Sequence, residues 1–268
     1  MGGGGMDIHY GVYTKDTDSV YESSKETNKR LITALGWTKP ITSESVILDL
    51  GSGHGGLSHE LAAQFKCQVV GCNISPAQND MNLAEAKVLG IDEFIDVKFL
   101  DFNNGLPEEW TNRFTHVISC EVLCHAANKA LLFQELLRVM QPGAGFAFTD
   151  IMGAEGADEK VLKDFTDRNA TTKMARPSEY LTLLKNKEGH GEGFLNGSFV
   201  DFSHHLLYYF RSMRDQVVKH RDDMLKEGVA ESYLDKWMDS LTSRVKIQED
   251  HEVFAWGIFT CRKAGPIF

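Results

Sequence analysis

Residues 46–56 have the sequence VILDLGSGHGG. The short apolar run 46–50 predicts a buried parallel strand, and the apolar residues at helical spacing in 57–65 predict a helix directly after it. The alternate glycines between them permit positive φ angles and let a ligand approach the backbone closely. The start of the helix adds free N–H groups and a positive dipole end. This layout favours a ligand site, against the alternative of a tight turn without a ligand.

The spacing of the glycines distinguishes several kinds of nucleotide site. A P-loop requires Gly-Lys-Ser or Gly-Lys-Thr, which this segment lacks. A dinucleotide site has the pattern G-x-G-x-x-G, whereas Gly51, Gly53 and Gly55 alternate after Asp49. The pattern resembles the first motif of Rossmann-like S-adenosylmethionine-dependent methyltransferases. This resemblance implies that the loop, including Ser52, wraps the methionine part of S-adenosyl-L-methionine, with an acid near its ammonium group.

Length and charge limit the classes of function. The chain has 268 residues and a net charge of −10. Such a length suits one large domain or one domain with an inserted cap, and the acidic balance argues against a nucleic-acid backbone or an anionic membrane as the main partner. No apolar run approaches the roughly 20 residues of a membrane span, and no secretory segment is visible. The expected location is cytoplasmic; residues 1–5 are left out of the fold prediction.

The cysteines and histidines do not predict a metal site. The five cysteines form no CxxC pair, and most lie in or beside apolar runs. This placement predicts buried reduced thiols and a reducing compartment. The adjacent His204 and His205 would point to different sides of a helix, so they are not expected to bind a metal together.

The end of the second predicted strand, 67–73, lies about 20 residues beyond the glycine loop. Asn73 occupies the position where Asp or Glu commonly holds ribose hydroxyls. Its amide donates and accepts hydrogen bonds but lacks the charge-assisted strength of a carboxylate, which makes NAD less favoured. Ile74 follows, and Gln78 opens the helix 77–89 beside the expected edge of the cofactor.

A third predicted strand, 97–102, ends at Asp101 and Phe102. Ligands of parallel α/β sheets collect at the carboxyl ends of the strands. Asp101 is therefore expected to accept a hydrogen bond from an adenine amino group, with Phe102 against the ring. The alternative is a strand-end turn formed by Asp101 and the two asparagines that follow.

The fourth predicted strand, 114–120, ends at Ser119 and Cys120 and opens into the segment 121–126. By the same rule of strand ends, this segment is expected to meet both cofactor and substrate. His125 within it either is a buried histidine with its hydrogen bonds satisfied or contacts the substrate.

The remaining pattern predicts a single α/β domain over 1–268. Helices are expected at 19–35 (ending at Gly36), 129–139, 204–226 and 230–243, and strands at 145–150, 196–202 and 252–262. Strands alternating with helices predict right-handed βαβ units and a doubly wound sheet. The stretch 151–195 loses that rhythm and is too long for an ordinary connection, which predicts an inserted cap over the site.

Segments along nearly the whole chain make the resemblance more specific. Residues 46–56, 69–78 and 136–143 resemble motifs of class I methyltransferases, which implies a seven-stranded Rossmann-like sheet. Residues 7–13 (DIHYGVY) and 255–263 resemble the N-terminal signature and the C-terminal strand of the sarcosine/dimethylglycine N-methyltransferases, which form betaine. Segments 122–125 and 148–152 fit that family too. The pair Ile151-Met152 departs from a Pro-Met pair of the family, which leaves open which methylation steps are catalysed.

The resemblance implies methyl transfer from S-adenosyl-L-methionine to the amine of sarcosine or dimethylglycine, giving glycine betaine, an osmolyte. Such an in-line displacement depends on positioning and needs an unprotonated amine, without an obligatory strong base. His125 would orient the substrate or accept a proton. Arg176 is the candidate partner of the substrate carboxylate, because the arginine fork binds carboxylates bidentately; the alternative is a surface arginine of the cap.

A quaternary ammonium product favours aromatic walls through cation–π attraction. Tyr13, Tyr180 and Tyr208 are the candidates, and Tyr180 suits the core of the cap equally well. Tyr13 belongs to 7–13, a segment expected either to close over the cofactor cleft or to pack on the sheet edge.

Three other functions fit parts of the pattern. A phosphoethanolamine or lipid methyltransferase would share the motifs but need a cationic phosphate pocket or an apolar channel. A non-catalytic regulatory protein would bind S-adenosyl-L-methionine without turnover. An NAD-dependent oxidoreductase is disfavoured by Asn73 and the glycine spacing. The sequence leaves open the substrate preference and the choice between a monomer and a homo-oligomer.

Overall fold

The computed structural model describes residues 5–15, 18–168, 173–185 and 193–265. Its strands are β1 (Val46–Leu50), β2 (Gln68–Asn73), β3 (Ile95–Phe99), β4 (Phe114–Cys120), β5 (Met140–Gly153), β6 (Phe194–Asp201) and β7 (Phe254–Lys263). They form a seven-stranded sheet in the order β3-β2-β1-β4-β5-β7-β6. β1 to β5 are parallel, whereas β7 runs antiparallel to β5 and β6. The predicted α/β Rossmann-like sheet of seven strands is confirmed.

Helices flank both faces of this sheet. They are α1 (Val20–Thr38), α2 (Gly56–Phe65), α3 (Pro76–Val88), α4 (Lys129–Val139), α5 (Glu159–Arg168), α6 (Pro177–Leu183), α7 (His205–Lys226) and α8 (Glu231–His251). Apolar residues of α1 and α2 form one buried cluster with the strands, and those of α4 and α6 form another. A third cluster joins α5, α7 and α8 to the ends of β5 and β7. Burial of this apolar surface is the main force that holds the layers together.

The two ends of α1 differ in how well the local sequence predicts them. Ser19 caps the start, accepting from the N–H of Glu22 while the Glu22 carboxylate accepts from the N–H of Ser19. The prediction that Gly36 ends the helix is wrong, because the helix continues to Thr38 and Lys39 takes the cap position. A Cβ at Gly36 would meet no atom within 4 Å, so nothing at this position requires a glycine.

Two further element ends differ from the prediction. The third strand ends at Phe99, and Phe102 lies in a short 3₁₀ helix, Phe102–Asn104. The Asp101 carboxylate accepts from the backbone N–H of Asn103 at 2.9 Å, which stabilises this turn. The helix α8 extends beyond its predicted end at 243, because the buried Val245 and Gln248 continue its inner face.

The stretch 151–195, predicted to be a cap, contains the end of β5 and the helices α5 and α6 in its described parts. The helices α7 and α8 pack against each other and, with α5, contribute walls to the second cavity described below. The single-domain organisation and the limits of the cap stay predictions. Within the ranges that the structure describes, no helix is long and apolar enough to cross a membrane.

Candidate active site

The loop after β1 has a conformation that only glycine adopts easily. Gly51, Gly53 and Gly55 have φ angles of +82°, +53° and +92°, and residues with a Cβ rarely enter this region. The N–H of Gly51 donates to the carbonyl oxygen of Cys72 on β2 at 2.8 Å, which fixes the loop over the sheet edge. A Cβ at Gly51 would lie 2.3 Å from a methyl carbon of Val122. Close packing against the segment after β4 therefore requires glycine at this position.

A first cavity of about 320 Å³ opens above this loop, at the carboxyl ends of β1, β2 and β4. Most of the predicted cofactor-binding residues line it: Asp49, Gly51, Ser52, Gly53, Asn73, Ile74, Gln78, Asp101, Phe102 and Cys120. Gly55, Ser119 and Tyr13 are not among the lining residues. Gly55 caps the start of α2, and the Ser119 hydroxyl donates to the carbonyl oxygen of Leu50 at 2.8 Å.

Polar groups in this cavity have unused hydrogen-bonding capacity. The buried Asp49 accepts from the Ser58 hydroxyl at 2.6 Å, and burial raises the pKa of Asp49 to about 6. The buried Ser52 hydroxyl has no hydrogen-bond partner among the described residues. The Asn73 amide donates to Gln78 Oε1 at 2.8 Å, so its own oxygen is left for another donor. A ligand carrying an ammonium group and hydroxyls would satisfy these groups.

A second cavity of about 540 Å³ adjoins the first. Six residues line both cavities: Ile8, His9, His54, Gln78, Glu121 and His125. Aromatic side chains make much of the remaining wall, namely Tyr10, Phe165, Tyr209 and Trp237. Two ligands bound in these cavities would therefore meet at the shared residues.

The N-terminal segment is part of these walls, since Ile8 and His9 contribute to both cavities. The two ring nitrogens of His9 lie 2.9 Å from the carbonyl oxygen of Tyr10 and 2.8 Å from Asn28 Oδ1. The Asn28 amide nitrogen donates to Asp7, so Asn28 Oδ1 is an acceptor and both His9 nitrogens face acceptors. Burial lowers the pKa of His9, but the hydrogen bond and the charge of Asp7 together have the larger effect. The pKa of His9 is therefore raised. A cationic His9 thus anchors this segment to α1.

Arg244 of α8 is the permanent cation among the described residues that line the second cavity. Its guanidinium carbon lies 4.6 Å from the ring centroid of Phe165 and 5.9 Å from that of Phe210. No carboxylate in the described part of the chain comes within 4 Å of its nitrogens. Arg244 was not among the site residues expected from the sequence. The signal that could have found it is a cation on α8 between the buried positions Leu241 and Val245.

Glu121, directly after β4, belongs to the segment 121–126 that was expected to meet cofactor and substrate, but the sequence did not single it out as a site residue. It has a left-handed φ of +59°, an uncommon conformation for a residue other than glycine that is often found at functional sites. Its Oε1 accepts from the indole N–H of Trp256, and its buried Oε2 has no partner among the residues that the structure describes. Burial, and next the charge of Asp150, raise the pKa of Glu121 to about 8. Its signal in the sequence is an acid at a carboxyl strand end.

Of the four predicted catalytic residues, only His125 lines the cavities. His125 is exposed at the mouth of the cavities, but partial desolvation, followed by the charge of Lys129, lowers the pKa of His125. The Arg176 guanidinium donates to the carbonyl oxygens of Ala154 and Ala157 at 2.9 and 2.8 Å and forms an ion pair with Glu159. Arg176 therefore fastens the connection after β5 and lies outside both cavities.

The predicted tyrosines also lie away from the two cavities. Tyr180 is fully buried, and its hydroxyl donates to Asp150 Oδ2 at 2.5 Å. Its ring lies 5.2 Å from that of Phe148 in an edge-to-face arrangement, so it belongs to the core under α6. Tyr13 and Tyr208 pack against each other with ring centroids 6.1 Å apart, and 45% of Tyr208 is exposed.

The glycine loop after β1, the parallel half of the sheet and the antiparallel last strand define a Rossmann-like methyltransferase fold. A family model described as a methyltransferase domain matches residues 41–195. The chain belongs to this family, and the protein is a methyltransferase, as the sequence predicts.

Curated relatives match almost the full length of the chain. A sarcosine/dimethylglycine N-methyltransferase of Halorhodospira halochloris is 28% identical over 260 residues, which are 97% of this chain and 89% of the relative. A dimethylglycine N-methyltransferase of Parasynechococcus marenigrum is 27% identical over 262 residues, 98% of this chain and 89% of the relative. The predicted resemblance to this group is confirmed.

A crystal structure from Galdieria sulphuraria, described provisionally as a sarcosine dimethylglycine methyltransferase, has a TM-score of 0.85 and 26% identity to this protein. The match covers 98% of this chain and 96% of the other. The likeness therefore includes α7 and α8, which lie outside the range of the family model.

Proposed function

We propose that the enzyme transfers a methyl group from S-adenosyl-L-methionine to the nitrogen of sarcosine, dimethylglycine or both, and so forms glycine betaine. The observation that carries this proposal is the second cavity, where the Arg244 guanidinium, which has no ion-pair partner among the described residues, faces aromatic walls directly beside the glycine-loop cavity. A methylated amino acid has the complementary parts, a carboxylate and a methylated ammonium. The names of the full-length relatives support the same substrate class.

The first cavity fits the proposed cofactor. When bound, S-adenosyl-L-methionine supplies an electrophilic methyl group on a sulfonium. Asp49 would hold its ammonium group, the loop of Gly51 and Ser52 would follow its methionine part, and Asn73 would accept from a ribose hydroxyl. Asp101, which also caps the turn after β3, would reach the adenine amino group. The Ser52 hydroxyl, which has no partner among the described residues, and the Asn73 amide oxygen, whose nitrogen already donates to Gln78, support this assignment.

The substrate carboxylate is assigned to Arg244 in place of Arg176. The Arg176 donors already satisfy two carbonyl oxygens and Glu159, whereas the Arg244 fork has no ion-pair partner among the described residues. A guanidinium binds a carboxylate through two parallel hydrogen bonds.

The methylated ammonium is assigned to the aromatic walls of the second cavity. Tyr10 and Tyr209 have ring centroids 4.9 Å apart in an edge-to-face arrangement, and both line this cavity with Trp237. Aromatic faces attract alkylammonium cations. These residues take the role first expected of Tyr13, Tyr180 and Tyr208.

The direct test measures methyl transfer from labelled S-adenosyl-L-methionine to glycine, sarcosine, dimethylglycine and phosphoethanolamine, each offered separately. Label in betaine from dimethylglycine, or in dimethylglycine from sarcosine, is the expected result and fixes the steps catalysed. Turnover of phosphoethanolamine alone would move the enzyme to the phosphobase class. Cofactor binding without turnover of any amine would support a regulatory protein.

A pair of matched variants tests the carboxylate assignment. Arg244→Gln is expected to raise the KM for dimethylglycine by about 10- to 100-fold, because a charge-assisted hydrogen bond contributes roughly 1.5–3 kcal/mol. The affinity for S-adenosylhomocysteine should stay unchanged. Arg176→Gln should lower the melting temperature and leave the KM within about threefold of the wild type. A raised KM in Arg176→Gln together with an unchanged KM in Arg244→Gln would assign the substrate carboxylate to Arg176.

A further inference from the structure

We propose that Glu121 binds the ammonium form of the substrate and takes its proton before methyl transfer. This inference rests on the proposed function, and it adds a proton acceptor that neither the sequence nor the comparisons assign. Glu121 lines both cavities at the place where the methyl donor and the methyl acceptor would meet.

The local structure fixes Glu121 at this junction. Its backbone N–H donates to the carbonyl oxygen of Thr149 at 3.1 Å, which ties the residue to β5. Its left-handed φ of +59° shows that packing outweighs the backbone preference of a glutamate. Trp256 occupies Oε1, so Oε2 is the oxygen that stays unpartnered within the described ranges. A buried carboxylate oxygen without a donor is unfavourable, and a substrate N–H would satisfy it.

The groups around Glu121 favour proton uptake. The titratable groups that face it from the neighbouring elements are Asp150 of β5, His9 and Tyr10 of the N-terminal segment, Cys120 and Cys124 beside it, and Tyr209 of α7. Arg244 and His125 lie in the same cavity. Each carboxyl has one donor, Tyr180 for Asp150 and Trp256 for Glu121, but the charge of Lys129 also favours ionised Asp150. The negative charge is therefore better accommodated on Asp150 than on Glu121. Two buried carboxyls with different environments are a common arrangement for dividing acid and base roles.

The substrate needs such an acceptor because alkylamines are protonated at neutral pH; a lysine amine has a pKa of about 10.4. In the proposed step the N–H bond of the bound ammonium breaks and an O–H bond forms at Glu121 Oε2, which leaves a lone pair on nitrogen. That pair forms the new N–C bond to the methyl group of the sulfonium donor. The electrons of the S–C bond stay on sulfur, which becomes a neutral thioether, and Glu121 later returns its proton to water.

The test compares wild type, Glu121→Gln and Glu121→Asp over pH 6 to 10, with Glu44→Gln, an exposed carboxyl-to-amide change, as the matched control. For the wild type, kcat/KM with dimethylglycine is expected to rise with pH and to level off above about pH 8, as Glu121 becomes ionised. For Glu121→Gln it should be roughly 100- to 1000-fold lower at pH 7. The kcat/KM of Glu121→Gln should keep rising to about pH 10, where the ammonium group of the unbound substrate loses its proton.

Glu121→Asp keeps a carboxylate, so it separates loss of the proton acceptor from a folding defect of Glu121→Gln. It should recover part of the activity and level off below pH 10. A second measurement needs no turnover: calorimetry of dimethylglycine binding without cofactor, in two buffers of different ionisation heat. Near pH 7 the wild type should release up to one proton per substrate bound, and Glu121→Gln should release none, because a carboxyl raised to about pH 8 is largely protonated before binding.

The outcomes separate this inference from the proposed function. A loss in Glu121→Gln that is equal at all pH values would mean a merely structural role and would overturn the inference alone. Unchanged kcat/KM would do the same. A wild-type enzyme that neither binds nor methylates sarcosine or dimethylglycine would overturn the proposed function, and the inference with it.

Discussion

The indole N–H of Trp256, on β7, donates a hydrogen bond to Oε1 of Glu121, directly after β4. The two residues are 135 positions apart in the chain, and β5 lies between their strands in the sheet. Trp256 is fully buried, and its ring also packs edge-to-face against Tyr10 at 6.0 Å. One indole thus links the last strand, the N-terminal segment and the proposed proton acceptor.

Trp256→Phe removes the donor that faces Glu121 Oε1. A hydrogen bond to the ionised form lowers a carboxyl pKa, so its loss should raise the pKa of Glu121 further. We expect the plateau of kcat/KM to move from near pH 8 to a higher pH, with a loss of about tenfold at pH 7. The matched change Trp110→Phe, at a buried tryptophan packed against Phe114 outside both cavities, should not move the plateau. Equal pH profiles for the two variants would contradict this.

A pair of glycine variants tests the loop after β1. Gly51→Ala would place a Cβ 2.3 Å from Val122 at a φ of +82°, so we expect affinity for S-adenosylhomocysteine to fall at least tenfold. Gly36→Ala, inside α1 with open space around its Cβ position, should stabilise the protein by about 0.5–1 kcal/mol. Calorimetry and urea denaturation measure the two effects. Tight binding by Gly51→Ala would show that the loop is not the cofactor cradle.

Cofactor affinity should depend on pH through Asp49. Burial raises the pKa of Asp49 to about 6, partly offset by the donor Ser58, and only the ionised carboxylate attracts an ammonium group. The affinity for S-adenosylhomocysteine should therefore be level above pH 7 and fall by up to about tenfold per pH unit below pH 6. Asp49→Asn should bind more weakly, with the pH dependence in this range greatly reduced. An unchanged slope in that variant would assign the titration to another group.

The stability of the free enzyme should depend on pH through Glu121. Its folded pKa, about 8, is above the ordinary value of 4.5, so the folded state holds its proton more tightly. The burial of Glu121 therefore lowers stability as pH rises above about 4.5, and this penalty is complete above about pH 8. Glu121→Gln should raise the melting temperature by about 2–6 °C at pH 9 and by little at pH 5. A difference independent of pH would contradict a buried, titrating carboxyl.

The local pattern of apolar residues predicts the strands and the helix that surround the first cavity. The run before Gly51 and the helix after it have periodicities of their own, and the ends of β2 and β4 are visible as the points where apolar runs stop. Because parallel strands place their carboxyl ends at one edge, the positions of Asp49 and Asn73 follow from the order of strands alone.

Local pattern fails where tertiary packing selects among similar residues. Arg176 and Arg244 are both arginines after the fifth strand, and only the docking of α8 puts the second one in a cavity. Tyr180 is an aromatic residue of the kind that binds alkylammonium groups. Its hydroxyl, however, donates to the buried Asp150 carboxylate, so its ring packs in the core. The acid at position 121 is visible in the sequence as a strand-end residue, but its hydrogen bond with Trp256, 135 residues away, has no local signature.

The last strand, β7, lies between β5 and β6 in the sheet. During synthesis, β6 therefore cannot take its final place until the chain beyond residue 253 has left the ribosome, and at 5–20 residues per second this takes on the order of 10–50 seconds from the first residue. Until Trp256 has emerged, its hydrogen bond to Glu121 cannot form. The newborn chain can form its glycine loop early, whereas its sheet is complete only after β7 has emerged.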